Sequence, residues 1–247
     1  MAFSYNDVWE DTVRLIRANA PLLIAIAGVF IFLPALILAV MLPAPEPQTQ
    51  NAERAMRIFI DYARGAWPWF LLVGLFNIVG SAAMMRLVFA RETTVGAALV
   101  FGLTLLPFWL LVQIICGFIF GFGLLLLIVP GLYLIGRLVP ATAVLVAEPG
   151  RNPFAVIGRS FALTRGHGWA ICGLVFVIAI VGSIVTGTTE TLLGLIFLRT
   201  LGHDVAQVLS AIVTSALSAA FATLFIMLYA AIYRALTAND RVSEAFE

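Results

Sequence analysis

Few side chains in this 247-residue sequence have the chemistry of an active site, and they are scattered along it. Glu190, His203 and Asp204 supply two carboxylates and an imidazole, the groups of acid–base catalysis. Solvation of a loop and capping of the next helix account for all three. His167 and His203 are too few and too far apart for a zinc site. Cys116 and Cys172 fall in apolar runs without CxxC or Cys/His spacing, and read as small buried hydrophobes. There is no HExxH, GxSxG, P-loop or GxGxxG; Gly121-x-Gly123 lacks the third glycine. No catalytic residue, metal site or cofactor is expected, and the chain reads as a non-enzyme.

One side chain does need a chemical explanation. The 55 residues from 93 to 147 carry a single formal charge, that of Arg137. A guanidinium exposed at the centre of a bilayer costs roughly 2.5 to 3.5 kcal/mol on insertion scales. Arg137 therefore either contacts an anion or a lipid phosphate in a groove, or is a structural arginine. In the structural case it snorkels, or is satisfied by carbonyls freed at Pro130 or Pro140. A second basic group, Arg151, Arg159 and Arg165, is a candidate contact for anionic headgroups, each arginine being worth on the order of 1 kcal/mol near such a surface.

These residues must be positioned by hydrocarbon-solvated helices. The composition is 62% hydrophobic and the mean hydropathy is +1.07. A soluble fold of this size cannot hide that much apolar surface, whereas lipid solvates it directly. All 14 basic residues are arginine and 13 acids nearly cancel them, so net charge predicts no nucleic-acid partner.

The expected fold is all-α, a polytopic transmembrane helical bundle forming a single domain over 1–247. Spans are expected at about 21–42, 67–89, 95–120, 123–147, 168–187 and 205–233, at about 20 apolar residues for each crossing. Amphipathic interfacial helices are expected at about 5–19, 51–65 and 153–165. In the first, Trp9, Val13, Ile16 and Ala20 form the apolar face. The charge-rich start, with Asp7, Glu10, Asp11, Arg14 and Arg17, is unlike a cleavable signal, so the first apolar run is expected to remain as a span.

Local signals set several boundaries. Ser4 with Asp7 has the form of a capping box, Thr94 is a cap, and Asn152-Pro153 is a helix start. Asp204 with Gln207 starts the sixth span. Pro21 serves as a helix-start residue and Pro34 as a kink. The favoured hairpin between the third and fourth spans is at Gly121–Gly123, with Pro130–Gly131 as the alternative. The segment 191–198 is too short to cross, so it lies at the outer surface or re-enters, and residues from Leu236 onward form a frayed polar tail. Arg64-Gly65-Ala66-Trp67 and Arg165 to Trp169 echo one another, as boundary residues commonly do.

Ala206, Ser210, Thr214, Ser218 and Ala222 repeat at fourfold spacing along the sixth span, beside a second row of Ala211, Ser215, Ala219 and Thr223. Small faces let membrane helices approach closely, within the chain or at a dimer seam, or line a substrate path. Gly117-x-x-x-Gly121 is a weaker signal of the same kind. With the amino terminus inside, nine arginines fall in cytoplasmic segments and four (Arg54, Arg57, Arg64 and Arg199) in external ones, which predicts cytoplasmic termini.

The run Val129-Pro130-Gly131-Leu132-Tyr133-Leu134, then Arg137, Pro140 to Glu148, Gly158-Arg159-Ser160-Phe161-Ala162-Leu163-Thr164-Arg165-Gly166 and Trp169, resembles the YciC-like family of bacterial inner-membrane proteins. It is also similar to the membrane domain attached to some glycerophosphodiester phosphodiesterases, and the opening stretch Ser4 to Asn19 fits the same pattern. The resemblance implies a multi-pass protein of the bacterial cytoplasmic membrane with an envelope or lipid-related role. No phosphodiesterase catalytic domain is present. The expected function is therefore membrane homeostasis, lipid contact or complex scaffolding, with membrane lipids and a membrane-protein partner or second copy as partners. The alternative is a small transporter or lipid-translocating protein that uses Arg137 as its anion contact.

Overall fold

The computed structural model describes residues 3–43, 45, 51–90, 92–200 and 202–244; Arg199, His203, Asp204 and Arg241 are described by their backbone alone. In chain order the helices are α1 (Tyr5–Ala27), a π-helical turn (Gly28–Phe32), α2 (Leu33–Met41), α3 (Ala52–Phe89), α4 (Val95–Leu126) and α5 (Ile128–Leu138). They continue with α6 (Ala141–Ala147), α7 (Pro153–Leu163), α8 (Gly168–Thr200) and α9 (His203–Glu244), and no strand occurs among the described residues. Among the described residues, six stretches are long and apolar enough to cross a bilayer: Tyr5–Met41, Ala52–Phe89, Val95–Leu125, Val129–Ala147, Gly168–Ile196 and Val205–Ala238. The chain is an all-α, polytopic integral membrane protein.

The bundle closes through α1 against α9, α3 against α4, α4 against α5, and α8 against both α5 and α9. Its core joins Val8, Leu15 and Leu23 of α1 to Met84 of α3, Trp109 and Val112 of α4, and Met227 to Ile232 of α9. Outside that core, Phe118 and Leu125 of α4 are 75% and 81% exposed, which only a hydrocarbon solvent tolerates for side chains this large.

The first two interfacial helices are corrected: neither is separate. Residues 5–19 run without a break into the first span, and 51–65 into the second. The reason for the first is packing. Val8, Thr12, Leu15 and Leu23 are buried along one side of α1, while Trp9, expected on the apolar face, is 42% exposed. That buried face holds the helix together across Pro21, whose missing N–H removes one ladder bond. The kink expected at Pro34 takes the form of the π turn just before it. Pro34 cannot donate to the Phe30 carbonyl, and the wider turn, with Leu33 N–H bonded to the Gly28 carbonyl, makes room for its ring.

α3 starts at a cap the sequence reading did not single out. Asn51 Oδ1 accepts from the amides of Glu53 and Arg54, at 3.0 and 3.2 Å. At 38 residues α3 extends about 57 Å, well beyond the ~30 Å apolar thickness of a bilayer. Its amphipathic first turns therefore project past the hydrocarbon.

The third-to-fourth hairpin lies at neither expected place. α4 continues through Gly121 and Gly123 to Leu126, and the chain reverses at Leu127, which is extended. Gly123 and Gly131 serve close packing across that reversal instead: a methyl on Gly123 would lie 3.1 Å from Gly131 Cα and 2.5 Å from a Leu134 methyl. Gly117 and Gly121 have open space around them, so they make no close helix contact within the chain. Pro130 falls in the first turn of α5, where amides have no intrahelical acceptor. Pro140 then separates α5 from α6, leaving the fourth span a broken helix.

Two further expectations are overturned. The segment 191–198 neither lies flat nor re-enters; it continues α8, with Thr191 Oγ1 bonded back to the Gly187 carbonyl at 2.8 Å. The tail after Leu236 is helical to Glu244, because Leu236 is buried and Asp240 pairs with Arg159. The helix expected over 153–165 is present as α7, capped by Asn152, whose Oδ1 accepts from Ala155 N–H at 2.6 Å. Arg91 and most of the Pro-rich connection after Pro43 lie outside the described residues.

Candidate functional site

Arg137 sits in the last turn of α5, and two close approaches fix its surroundings. Gly136 faces the start of α8, where an added methyl would lie 2.1 Å from the Gly168 carbonyl oxygen and 2.9 Å from Cys172 N. Gly168 is itself crowded by Tyr133 and by Arg137 Cδ. Only glycines permit this crossing, and it brings Arg137 to the junction of α7 with α8. The chain turns between those helices at Gly166, whose φ of +80° suits a residue without Cβ.

At that junction the Arg137 guanidinium donates to the Phe161 carbonyl at 2.7 Å and the Thr164 carbonyl at 3.1 Å. These belong to the carboxyl end of α7, where a cation is favoured by the unpaired carbonyls and the helix dipole. The guanidinium carbon also lies 5.0 Å from the Phe161 ring centroid and 5.8 Å from that of Tyr133. In return, Ser160 Oγ of α7 donates to the Arg137 carbonyl at 2.7 Å, at the end of α5. The partners are therefore carbonyls of α7, rather than those freed at Pro130 or Pro140.

Arg151 and Arg159 are also engaged within the fold. Arg151 Nε lies 2.6 Å from Glu148 Oε2, and Arg159 reaches both Glu148, at 3.6 Å, and Asp240 of α9, at 2.9 Å. The Tyr233 hydroxyl donates to Glu148 Oε1 at 2.9 Å. Burial works against the charge of Arg159, but the Asp240 and Glu148 carboxylates outweigh it and hold the guanidinium above its ordinary range. This cluster ties the α6–α7 segment to the end of α9. Arg165 differs: it is exposed and makes no ion pair among the described residues.

A third arrangement was not foreseen. Asp11 of α1, whose side chain is 13% exposed, pairs with Arg14 one turn on and with Arg234 Nε of α9 at 3.5 Å. The two arginines line a cleft of about 580 Å³ together with Leu15, Leu22, Leu87 and Thr93. The cleft lies between α1, α9 and the α3–α4 turn. Only the apolar-to-charged switch along α1 hints at it in sequence, since Arg14 and Arg234 are 220 positions apart.

These groups share one end of the bundle. Phe3 packs against His167, with ring centroids 6.1 Å apart, so the start of α1 meets the α7–α8 junction. The start of α1 also meets the end of α9 through Asp11 and Arg234.

Along α9, the row Ala206, Ser210, Thr214, Ser218 and Ala222 is not the most buried face. Ala206 is buried, Ser218 is exposed and the other three are half-buried. The neighbouring Ala211, Ser215 and Ala219 are buried. Hydroxyls of Thr214 and Thr223 bond back to Ser210 and Ala219 carbonyls, both at 2.8 Å, which removes their cost in an apolar setting.

Of the possible acid–base cluster, Glu190 is exposed in α8, while the side chains of His203 and Asp204 lie outside those described. No group of three or more His, Cys, Asp or Glu able to hold a metal occurs among the described residues. No family model, curated protein or solved structure matches this chain.

Proposed function

We propose that this is a non-enzymatic integral membrane protein that contacts anionic lipids through the arginine-bearing end of its bundle. Its role on this reading is membrane homeostasis or scaffolding of a membrane complex. The observation that carries the reading is the convergence of the start of α1, the α7–α8 junction and the end of α9. Arg14, Arg17 and Arg165 are exposed there beside apolar helix surface. In a bilayer such cations meet the headgroup layer and attract anionic lipids. The arginine asymmetry supports a cytoplasmic location for that end and for both termini. The resemblance to YciC-like proteins supports the bacterial inner membrane as its location.

Transport or lipid translocation through Arg137 has less support, because the guanidinium is already engaged by α7 carbonyls and two aromatic rings. Reconstitution into liposomes of mixed phosphatidylcholine and phosphatidylglycerol tests the proposal. The expected result is preferential retention of the anionic lipid, with no anion or lipid flux above protein-free vesicles. Flux, or retention indifferent to headgroup charge, would overturn it.

A further inference from the structure

We propose that the cleft between α1, α9 and the α3–α4 turn is a specific site for the phosphate group of an anionic glycerophospholipid. The inference rests on the lipid-contact reading and assigns it a place. Two guanidinium groups, Arg14 and Arg234, share the single carboxylate of Asp11, so the trio keeps one net positive charge. Asp11 does not line the cleft, whereas both arginines do. Arg14 is 71% exposed and 37% of the Arg234 side chain is, so both have donors to offer. A phosphate oxygen matches the guanidinium fork, and such charge-assisted bonds are the strong ones.

The apolar lining selects a lipid over a soluble anion. Leu15, Ala18, Leu22, Leu87 and Val88 form the apolar part of the wall, beside Asn19 and Thr93. Leu22 lies about 12 Å along α1 from Arg14, toward the long apolar stretch of the first span. A headgroup phosphate at the arginines thus has its acyl chain running beside Leu22, which is 41% exposed. The Asn19 amide donates one N–H to the Leu15 carbonyl at 2.9 Å, and the two cations supply the charge that a phosphate seeks.

The test uses the full chain in phosphatidylcholine nanodiscs doped with phosphatidylglycerol spin-labelled on its acyl chain. The motionally restricted fraction of the label is measured for wild type, Arg14→Gln, Arg234→Gln and Arg165→Gln. The expected loss of relative affinity is about fivefold for each of the first two variants, and a smaller one for Arg165→Gln, which attracts the headgroup layer but does not line the cleft. Arg234→Gln removes a helix–helix contact, but Arg14→Gln alters an exposed side chain and keeps the test decisive if the former misfolds. An unchanged restricted fraction in Arg14→Gln overturns the site. Displacement of the label by inorganic phosphate does so too, since a soluble anion would then be the occupant. Loss in Arg165→Gln alone removes this site while sparing the wider lipid-contact reading; absence of any restricted label in wild type removes both.

Discussion

Arg137 and Ser160 close each other's helices. The arginine guanidinium takes the last carbonyls of α7, while the serine hydroxyl donates to the arginine's own carbonyl at the end of α5. A lone charge within a long apolar run is in this way engaged inside the fold, and its neutralising groups are backbone dipoles.

Arg137→Leu is therefore expected to destabilise the protein, by about 1 to 3 kcal/mol, since it leaves helix-end carbonyls without their charged donor. Arg137→Lys should recover only part of the loss, because an ammonium cannot span both carbonyls or stack on Phe161 in the same way. Thermal unfolding of the detergent-solubilised chain measures both. A Leu variant more stable than wild type would contradict the capping role.

The Gly136–Gly168 crossing makes a second prediction. Gly136→Ala forces a methyl onto the Gly168 carbonyl and should cost about 1 to 3 kcal/mol or more, as overpacking does. Gly173→Ala, one turn along α8 with nothing within 4 Å, should be neutral or stabilising by up to ~1 kcal/mol. Comparing the two melting temperatures isolates the crossing from helix propensity.

Arg159 and Asp240 should be coupled but modestly. Their side chains are 29% and 36% exposed, so solvent screens the pair and a double-mutant cycle of Arg159→Gln with Asp240→Asn should give about 0.5 to 1 kcal/mol. A coupling near zero would mean that this ion pair does not help to hold the end of α9.

Asn152→Ala should lower stability by about 1 kcal/mol, through loss of the cap at the start of α7. Asn152→Asp, which keeps the acceptor, should not. Equilibrium unfolding of the two variants distinguishes the cap from other effects of the position.

The residues that sequence placed well act on their own neighbourhood. Ser4, Thr94 and Asn152 each accept from an amide three residues on, and each starts a helix where expected. Their signal is local because the unpaired amides of a helix start lie within reach of one side chain. The six apolar stretches are legible for a similar reason, since hydrocarbon acts on composition. What sequence did not show depends on distant partners. Arg137 finds its carbonyls 24 and 27 residues away. The face of α1 that packs on the bundle, Val8, Thr12 and Leu15, is set by distant partners and differs from the apolar stripe of Trp9 and Val13 that sequence shows. Pro21 marks a helix start in isolation, yet packing carries α1 through it. The Arg14–Arg234 cleft exists only once the two ends of the chain meet.

The most direct measurement is a native mass spectrum of the full-length chain released from bilayers of mixed phosphatidylcholine and phosphatidylglycerol. The account predicts adducts enriched in phosphatidylglycerol beyond its share of the bilayer, with the enrichment lost in Arg14→Gln. A bare chain, or adducts in the proportions of the bilayer itself, would contradict it.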